Sequence, residues 1–181
     1  MILVVDSGST KTDWIAIDKN GKIKFSTQTR GLNPQVLSSS IISERIVNNF
    51  DLYHNRDSIK KIFFYGAGCG VSSSVNRILK VFKSIFKNSD FDVKEDTYAA
   101  VYSTIKLGEK SIVCILGTGS NCSYYDGIDI EQRIISLGYT LMDEASGNFF
   151  GKELIRSYYF NEMDLDIAKD FEKEYDLNAD V

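Results

Sequence analysis

The sequence predicts an α/β protein, in which helices cover a sheet of largely buried strands. Short apolar runs of strand length, such as 2–5 and 111–116, are bounded by turn residues. Two longer segments, 36–50 and 71–85, repeat apolar residues at helical spacing. Up to about residue 107 the order of elements is βββαβαβα, and a similar strand-turn-strand pattern begins again at residue 111. The predicted domains are therefore 1–109 and 110–181.

Composition excludes several classes of function. Of the 181 residues, 43% are hydrophobic and 25% charged, which is typical of a globular protein with a core. The net charge of −4 and the scattered lysines argue against nucleic-acid binding. Apolar runs have only strand length, and Met1 leads directly into a predicted strand. Neither a membrane span nor a signal peptide is expected, and the predicted location is cytoplasmic.

The cysteines predict neither a disulfide framework nor a zinc site. Their number is odd, and Cys69, Cys114 and Cys122 lack the C-x-x-C spacing of metal ligands. They are interpreted as reduced thiols, two of them buried in strands.

The first hairpin is the principal candidate for ligand binding. Residues 2–5 form a buried strand that stops at Asp6, small residues fill the turn 7–10, and a second apolar strand runs over 12–17. Backbone N–H groups and hydroxyls in such a turn suit phosphate oxygens, and Asp6 can hold the hydrated Mg²⁺ of a nucleotide. The alternative is an ordinary hairpin with a small-residue turn.

The next segment completes an antiparallel group and adds a helix. The Asn20-Gly21 turn predicts a third strand over 22–29, and apolar spacing predicts a helix over 36–50. Residues 52–58 are interpreted as a loop, in which His54 is a solvated surface residue without a catalytic role.

A glycine-rich turn, 66–70, follows the fourth predicted strand, 59–65. These glycines permit either close approach of a ligand or close packing of the next helix on the sheet. That helix, 71–85, carries one apolar stripe, and Ser72 to Ser74 are expected to cap its start.

Asp96 lies between the fifth predicted strand, 91–94, and a third helix, 98–105. An aspartate in this position is either a helix N-cap or a base placed at the edge of the sheet.

A second hairpin repeats the first. Strand 111–116 ends in the small-residue turn Gly117 to Ser120, and strand 121–125 follows. Two such hairpins facing each other across a cleft would hold a polyphosphate from both sides, which favours nucleotide binding. A strand within 128–137, a helix that includes 154–159 and a last helix within 162–181 are also expected.

In their order, these motifs resemble the N-acetylglucosamine kinases and their BadF/BadG/BcrA/BcrD-type relatives, within the superfamily of hexokinases, heat-shock chaperones and actin. The resemblance covers essentially the whole chain. It implies a ribonuclease-H-like, actin-type ATPase lobe, followed by the start of a second, duplicated lobe. It also implies ATP and Mg²⁺ as cofactors.

The resemblance implies a role for each motif. Asp96 matches the catalytic base, and Asp6 lies near Mg²⁺ through water. The nucleotide phosphates are expected at Asp6, Gly8, Ser9, Thr10, Lys11, Gly117, Thr118 and Gly119. The amino sugar is expected at Asn33, Ser120, Asn121, Gly138 and Asp143.

The sugar loop, residues 138–147, departs from the family pattern. Met142 and Ala145 stand where relatives usually have glycine, so the loop is expected to differ or to be strained if those glycines have positive φ.

The resemblance implies phosphoryl transfer from ATP to a hydroxyl of an amino sugar. N-acetylglucosamine is the first candidate substrate and glucosamine the second. One alternative is a BadF-type ATPase that acts as an activator or sensor without a sugar. Another is a structural fragment without catalysis. Relatives extend further than this chain, so the second lobe is expected to be incomplete. Assembly into a homodimer is a further expectation.

Overall fold

The computed structural model describes residues 1–106, 108–132 and 137–177. The chain divides into two compact units, Met1–Leu107 and Gly108–Val181, here called unit 1 and unit 2. Both contain strands and helices, so the predicted α/β class is confirmed. That unit 2 begins a duplicated lobe stays a prediction.

Unit 1 is built on a five-stranded sheet with the spatial order β3-β2-β1-β4-β5. The first three strands are antiparallel neighbours, whereas β4 and β5 run parallel to β1. The carboxyl ends of β1, β4 and β5 therefore lie at one edge of the sheet, where Ser7 is level with Gly66 and Gly66 with Glu95. The strands are β1 (Ile2–Ser7), β2 (Lys11–Ile17), β3 (Ile23–Arg30), β4 (Lys61–Gly66) and β5 (Asp90–Glu95).

The core of unit 1 lies on one face of this sheet. Strand residues alternate between faces, so Leu3, Val5 and Ser7 are buried together. Phe64 of β4 meets Phe82 edge to face, with 5.3 Å between ring centroids. Burying each such side chain stabilises the fold by about 2 kcal/mol. The helices are α1 (Ser39–Val47), α2 (Phe50–Asn55), α3 (Ser72–Ile85) and α4 (Thr97–Thr104).

Three sequence-based expectations about unit 1 are wrong. The predicted helix 36–50 ends early, because the side chain of Asn49 accepts a hydrogen bond from the Leu52 backbone N–H at 3.1 Å and starts α2. Residues 52–55 are therefore helical rather than loop, although His54 is exposed as predicted. The N-cap of α3 is Val71 without a side-chain hydrogen bond, so the serines 72–74 lie inside the helix and do not cap it.

Unit 2 contains a three-stranded sheet of order β6-β7-β8 and two helices. The prediction of a strand over 128–137 is confirmed only at β8, and residues 133–136 lie outside the described residues. Its buried hydrophobic residues, among those described, are Val113, Tyr125 and Phe171. The elements are β6 (Ser111–Leu116), β7 (Ser120–Tyr125), β8 (Ile130–Glu131), α5 (Gly147–Tyr159) and α6 (Leu165–Glu174).

Among the described residues, no helix combines the length and the apolar character needed to cross a membrane.

Candidate functional site

The turn of the first hairpin presents unpaired donors. Gly8 donates its N–H to the Lys11 carbonyl at 2.9 Å, which closes the turn. Ser9 and Thr10 are exposed, and within the described part of the chain their N–H groups have no hydrogen-bond acceptor. Outward-facing N–H groups beside hydroxyls form the kind of concave surface that binds phosphate oxygens.

Two buried hydroxyls, on the core face of the sheet, anchor this turn. Ser7 Oγ and Thr12 Oγ1 lie 2.8 Å apart, and Ser7 Oγ also accepts the Leu32 N–H at 3.2 Å. Gly31 donates to the Thr10 carbonyl at 2.8 Å, so the 31–33 loop packs directly against the turn. A Cβ on Gly31 would lie 2.2 Å from the Ser9 carbonyl oxygen. This anchoring pair was not predicted, although the alternation along β1 places Ser7 on the face of Leu3 and Val5.

Asn33 also contacts the first hairpin. Its Nδ2 donates to Ser9 Oγ at 3.1 Å, and its Oδ1 accepts the Gln35 N–H at 2.9 Å. A Cβ on Gly68, which has φ +79°, would lie 2.3 Å from Asn33 Oδ1. The glycine-rich turn thus serves close packing at this position, and the Asn33 side chain is held beside the phosphate turn.

Charged side chains line the outer face of the hairpin. Asp6 lies opposite Asp13 in the strand register, and Lys11 Nζ forms an ion pair with Asp13 Oδ2 at 2.8 Å. The hydrogen bond from Lys11 lowers the pKa of Asp13, whereas partial burial and then the charge of Asp13 raise the pKa of Asp6. Lys11 therefore rests on Asp13 in this structure, and its predicted contact with phosphate stays a prediction.

Asp96 caps α4 at the carboxyl end of β5. Its Oδ1 accepts the Thr97 N–H at 3.0 Å. Burial raises the pKa of Asp96, and the nearby charge of Asp6 raises it further. One oxygen of the carboxylate satisfies the helix cap, so the capping interpretation is correct, and the second oxygen leaves a catalytic role open.

Glu95 is a neighbouring acid that the sequence analysis did not assign to the site. Burial, followed by the charge of Asp96, raises its pKa. A Cβ on Gly70 would lie 3.1 Å from Glu95 Oε1, so the glycine-rich turn closes over this carboxylate. Burial also raises the pKa of the adjacent Cys69 thiol to about 12, and the charges of Asp96 and Glu95 add to this effect. The only sequence signal was the position of Glu95 beside Asp96.

The carboxylates of Asp6 and Asp13 fit a magnesium ion that arrives with a nucleotide. Among the described residues, no cluster of three or more His, Cys, Asp or Glu side chains could hold a metal by itself. Asp6 and Asp13 supply oxygen donors from paired positions on adjacent strands. Mg²⁺ prefers oxygen ligands and usually keeps several waters, so one or two carboxylates suffice when phosphates complete its shell.

The second hairpin is anchored by the start of α5. Gly117 donates its N–H to the Gly119 carbonyl at 2.9 Å. Gly147 and Asn148 donate theirs to the carbonyls of Gly117 and Thr118, at 2.8 and 3.2 Å. The end of the sugar loop therefore lies on the second turn.

A pocket of about 280 Å³ in unit 2 gathers three of the predicted sugar-binding residues. Ser120 and Asn121 line it from β7, and Asp143 lines it from the sugar loop. Asp143 lies directly over the turn, since a Cβ on Gly119 would be 2.6 Å from its Oδ2. Gly138 is not among the lining residues; its carbonyl accepts the Met142 N–H at 2.8 Å in the turn that opens the loop.

The sugar loop is strained at one of the two unusual positions. Ala145 adopts φ +61° and Asp143 φ +70°, whereas Met142 is not among the residues with positive φ. The expectation of strain therefore applies to Ala145 and not to Met142. The loop ends at Ser146, a buried N-cap whose Oγ accepts the Phe149 N–H at 3.1 Å.

The unit 1 sheet, with its amino-terminal hairpin and parallel crossovers, defines an actin-like ATPase fold of the sugar-kinase type. Over 97% of its length the chain matches the structure of a putative N-acetylglucosamine kinase from Porphyromonas gingivalis, with 35% identity and a TM-score of 0.84. This likeness confirms the resemblance to the N-acetylglucosamine kinases. The chain spans only 62% of that structure.

A second structure shares the fold alone. It is a putative N-acetylglucosamine kinase from Chromobacterium violaceum, with 17% identity and a TM-score of 0.52 over 91% of this chain and 57% of that one. No family model and no curated protein matches the chain.

Proposed function

We propose that this chain carries the phosphoryl-transfer site of an ATP-dependent amino-sugar kinase, which transfers the γ-phosphate of ATP to a hydroxyl of N-acetylglucosamine. The observation that carries the proposal is the pocket that joins Ser120, Asn121 and Asp143 next to the second turn. The likeness to a putative N-acetylglucosamine kinase over nearly the whole chain supports it.

Asp96 is the proposed base. Its raised pKa makes it a stronger proton acceptor than an exposed aspartate, and its cap to Thr97 fixes the direction of the carboxylate. In unit 1 the turn donors at Ser9 and Thr10 are the proposed phosphate ligands, and in unit 2 the turn Gly117 to Gly119 is a separate candidate for the same task. Asp6 would hold the Mg²⁺ that accompanies ATP, and this ion would supply neutralisation of charge on the phosphates.

Polar groups of the pocket recognise the sugar. Ser120, Asn121 and Asp143 can exchange hydrogen bonds with sugar hydroxyls. Asn33 lies in unit 1 and outside this pocket, and its role in sugar binding is a separate proposal from the family resemblance. Leu116 and Met142 also line the pocket and offer apolar surface to the methyl of an N-acetyl group. This favours N-acetylglucosamine over glucosamine.

The decisive experiment measures ADP release and sugar phosphate formation by the purified full chain with Mg-ATP, with and without each sugar. We expect turnover that depends on N-acetylglucosamine and a kcat reduced by roughly 10²-fold or more in Asp96→Asn. ADP release that ignores the sugar would instead favour the ATPase sensor. Unchanged turnover in Asp96→Asn would remove this residue from the mechanism.

The stability of Asp96→Asn is the control for folding. Because burial raises the pKa of Asp96, the folded state binds its proton more tightly than the unfolded state, and ionisation costs stability above the ordinary aspartate range. Asn keeps the cap and removes this cost. The variant should therefore be at least as stable as the wild type near neutral pH, with the difference vanishing below about pH 4. Urea unfolding at both pH values tests this, and a less stable variant at neutral pH would contradict it.

Sugar recognition is tested by calorimetry on Asn33→Ala and Asp143→Ala. Each should weaken sugar binding much more than nucleotide binding, since the proposed contacts to sugar are direct, whereas Asn33 and Asp143 only lie beside the phosphate turns. Asp129→Ala removes an exposed carboxylate outside the pocket and is the matched control. Equal losses for sugar and nucleotide would show that Asn33 and Asp143 are misassigned.

A further inference from the structure

We propose that Cys114 and Cys122 form a site of reversible thiol oxidation, at which a low-molecular-weight disulfide such as oxidised glutathione converts the pair into a cross-strand disulfide. The inference goes beyond the proposed kinase activity and does not depend on it. It also replaces the expectation that two cysteines are buried in strands, because both of these thiols are exposed.

The strand register places the two thiols side by side. Cys114 on β6 is the direct partner of Cys122 on β7, and their Sγ atoms lie 3.1 Å apart. A disulfide bond is about 2.05 Å long, so the sulfurs need to approach by only about 1 Å.

The hydrogen-bond pattern of the hairpin also suits a disulfide. Pairs alternate along an antiparallel ladder, and the bond from Gly117 N–H to the Gly119 carbonyl fixes the alternation. Counting back from this pair, Cys114 and Cys122 form a non-hydrogen-bonded pair, in which the Cα atoms and side chains are closer than in a hydrogen-bonded pair. The crosslink therefore forms without breaking the ladder.

Access distinguishes this pair from the third cysteine. Cys114 and Cys122 line the 280 Å³ pocket, so a small disulfide can reach them from solvent. Cys69 is buried, and its pKa of about 12 keeps its thiol protonated. Since the thiolate is the nucleophile, Cys69 is unreactive in the folded chain and provides an internal control.

The chemistry is two successive exchanges. One thiolate of the pair attacks the added disulfide, forming a mixed disulfide and releasing one glutathione thiolate. The second thiol loses its proton, attacks the protein sulfur of the mixed disulfide and releases the second glutathione. The two protein thiols are oxidised, and one small disulfide is reduced to two thiols.

The rate of this exchange should rise with pH. The contact between the two Sγ atoms raises the pKa of Cys122, because ionisation of one thiol disfavours that of its neighbour. A larger thiolate fraction at higher pH therefore speeds both steps.

The product would enclose the second turn in a covalent ring. The ring contains the turn residues Gly117 to Gly119 together with Ser120 and Asn121.

The test treats the reduced full chain with oxidised glutathione, quenches with acid, alkylates free thiols and maps the peptides by mass spectrometry. We expect a Cys114–Cys122 crosslink within one chain, which dithiothreitol reverses, while Cys69 stays reduced. Matched variants Cys114→Ser and Cys122→Ser should each retain glutathione on the remaining exposed thiol, because no second thiol displaces it.

Several results would overturn the proposal. These are a lasting mixed disulfide in the wild type, a crosslink that joins two chains, a crosslink that forms only in urea, or no reaction of either thiol. Circular dichroism verifies the fold of the variants, and the wild-type map decides the question if a variant is misfolded.

Discussion

The two hairpins use the same small-residue turn, but they are anchored by different kinds of contact. The first turn has side-chain anchors in addition to the backbone bond from Gly31 to the Thr10 carbonyl, since Ser7 and Thr12 share a buried hydrogen bond and Ser7 also accepts the Leu32 N–H. The second turn is held by the backbone, through Gly147 and Asn148 at the start of α5.

The difference lies in the surroundings of each hairpin. Strands β1 and β2 lie inside a five-stranded sheet, and Leu3, Val5 and Trp14 have no exposed surface. In β6 the outward residues Ile112 and Leu116 are 71% and 66% exposed. The hydroxyl pair of Ser7 and Thr12 is buried, and its hydrogen bond is stronger because water is excluded. The second turn depends instead on backbone groups, which any sequence supplies.

The largest expected effect comes from Gly31→Ala. The new Cβ would meet the carbonyl oxygen of Ser9 at 2.2 Å, and the backbone can yield only by disturbing the bond from the Gly31 N–H to the Thr10 carbonyl. We expect a loss of about 3 kcal/mol in the free energy of unfolding. Trp14 is the single tryptophan and lies in unit 1, so its fluorescence during urea unfolding measures this loss.

Gly147→Ala is the matched change at the second turn. Its Cβ would be 3.3 Å from the Gly117 carbonyl oxygen, a contact that a shift of a few tenths of an ångström relieves. Its effect should stay below about 1 kcal/mol, measured by hydrogen exchange in α5. Equal losses for the two alanines would show that the anchors do not differ.

A smaller effect is expected from Ser7→Ala, compared with Ser146→Ala. Removing the Ser7 hydroxyl leaves the buried Leu32 N–H without its acceptor, at a cost of about 2 kcal/mol, while the Thr12 hydroxyl keeps its bond to the Arg30 carbonyl. Ser146→Ala removes one N-cap bond to Phe149, at a cost of about 1 kcal/mol. Urea unfolding measures the first and hydrogen exchange the second. A larger cost for Ser146→Ala would reverse the comparison.

The smallest effect should be a gain from Ala145→Gly. Ala145 has φ +61°, which glycine adopts without steric cost. Glycine also raises the entropy of the unfolded chain, which offsets part of this gain, so we expect a net increase of about 0.5 kcal/mol in the free energy of unfolding. Asn161→Gly is the control, because asparagine tolerates its φ of +58°. Thermal unfolding followed by circular dichroism compares both with the wild type. Destabilisation by Ala145→Gly would mean that its methyl makes contacts outweighing the strain.

Local patterns predicted the strands well and the helix boundaries less well. The repeat of apolar run and small-residue turn identified both hairpins, because a buried strand and a tight turn each restrict residue type. The same patterns extended the first helix too far, since Ile46 and Phe50 continue the helical spacing. The side chain of Asn49 decided the boundary, and Phe50 is 75% exposed.

Parts of the candidate site depend on contacts distant in sequence. Asp96 could be proposed from its place between strand and helix, but its raised pKa depends on burial and on Asp6. The exposed cysteines were mispredicted because cysteine was treated as apolar. Along β7 it is Ser123 and Tyr125 that occupy the buried face.

The attachment of α5 to the second turn determines where this chain tolerates insertions and deletions. α5 has 13 residues and none of them is buried, so substitutions along it are weakly constrained. Only its first two N–H groups reach the turn carbonyls. One residue gained or lost within the first turn of α5 would move these donors by about 1.5 Å along the helix axis and by about 100° around it. The start of α5 is therefore more constrained than the composition of the rest of this helix.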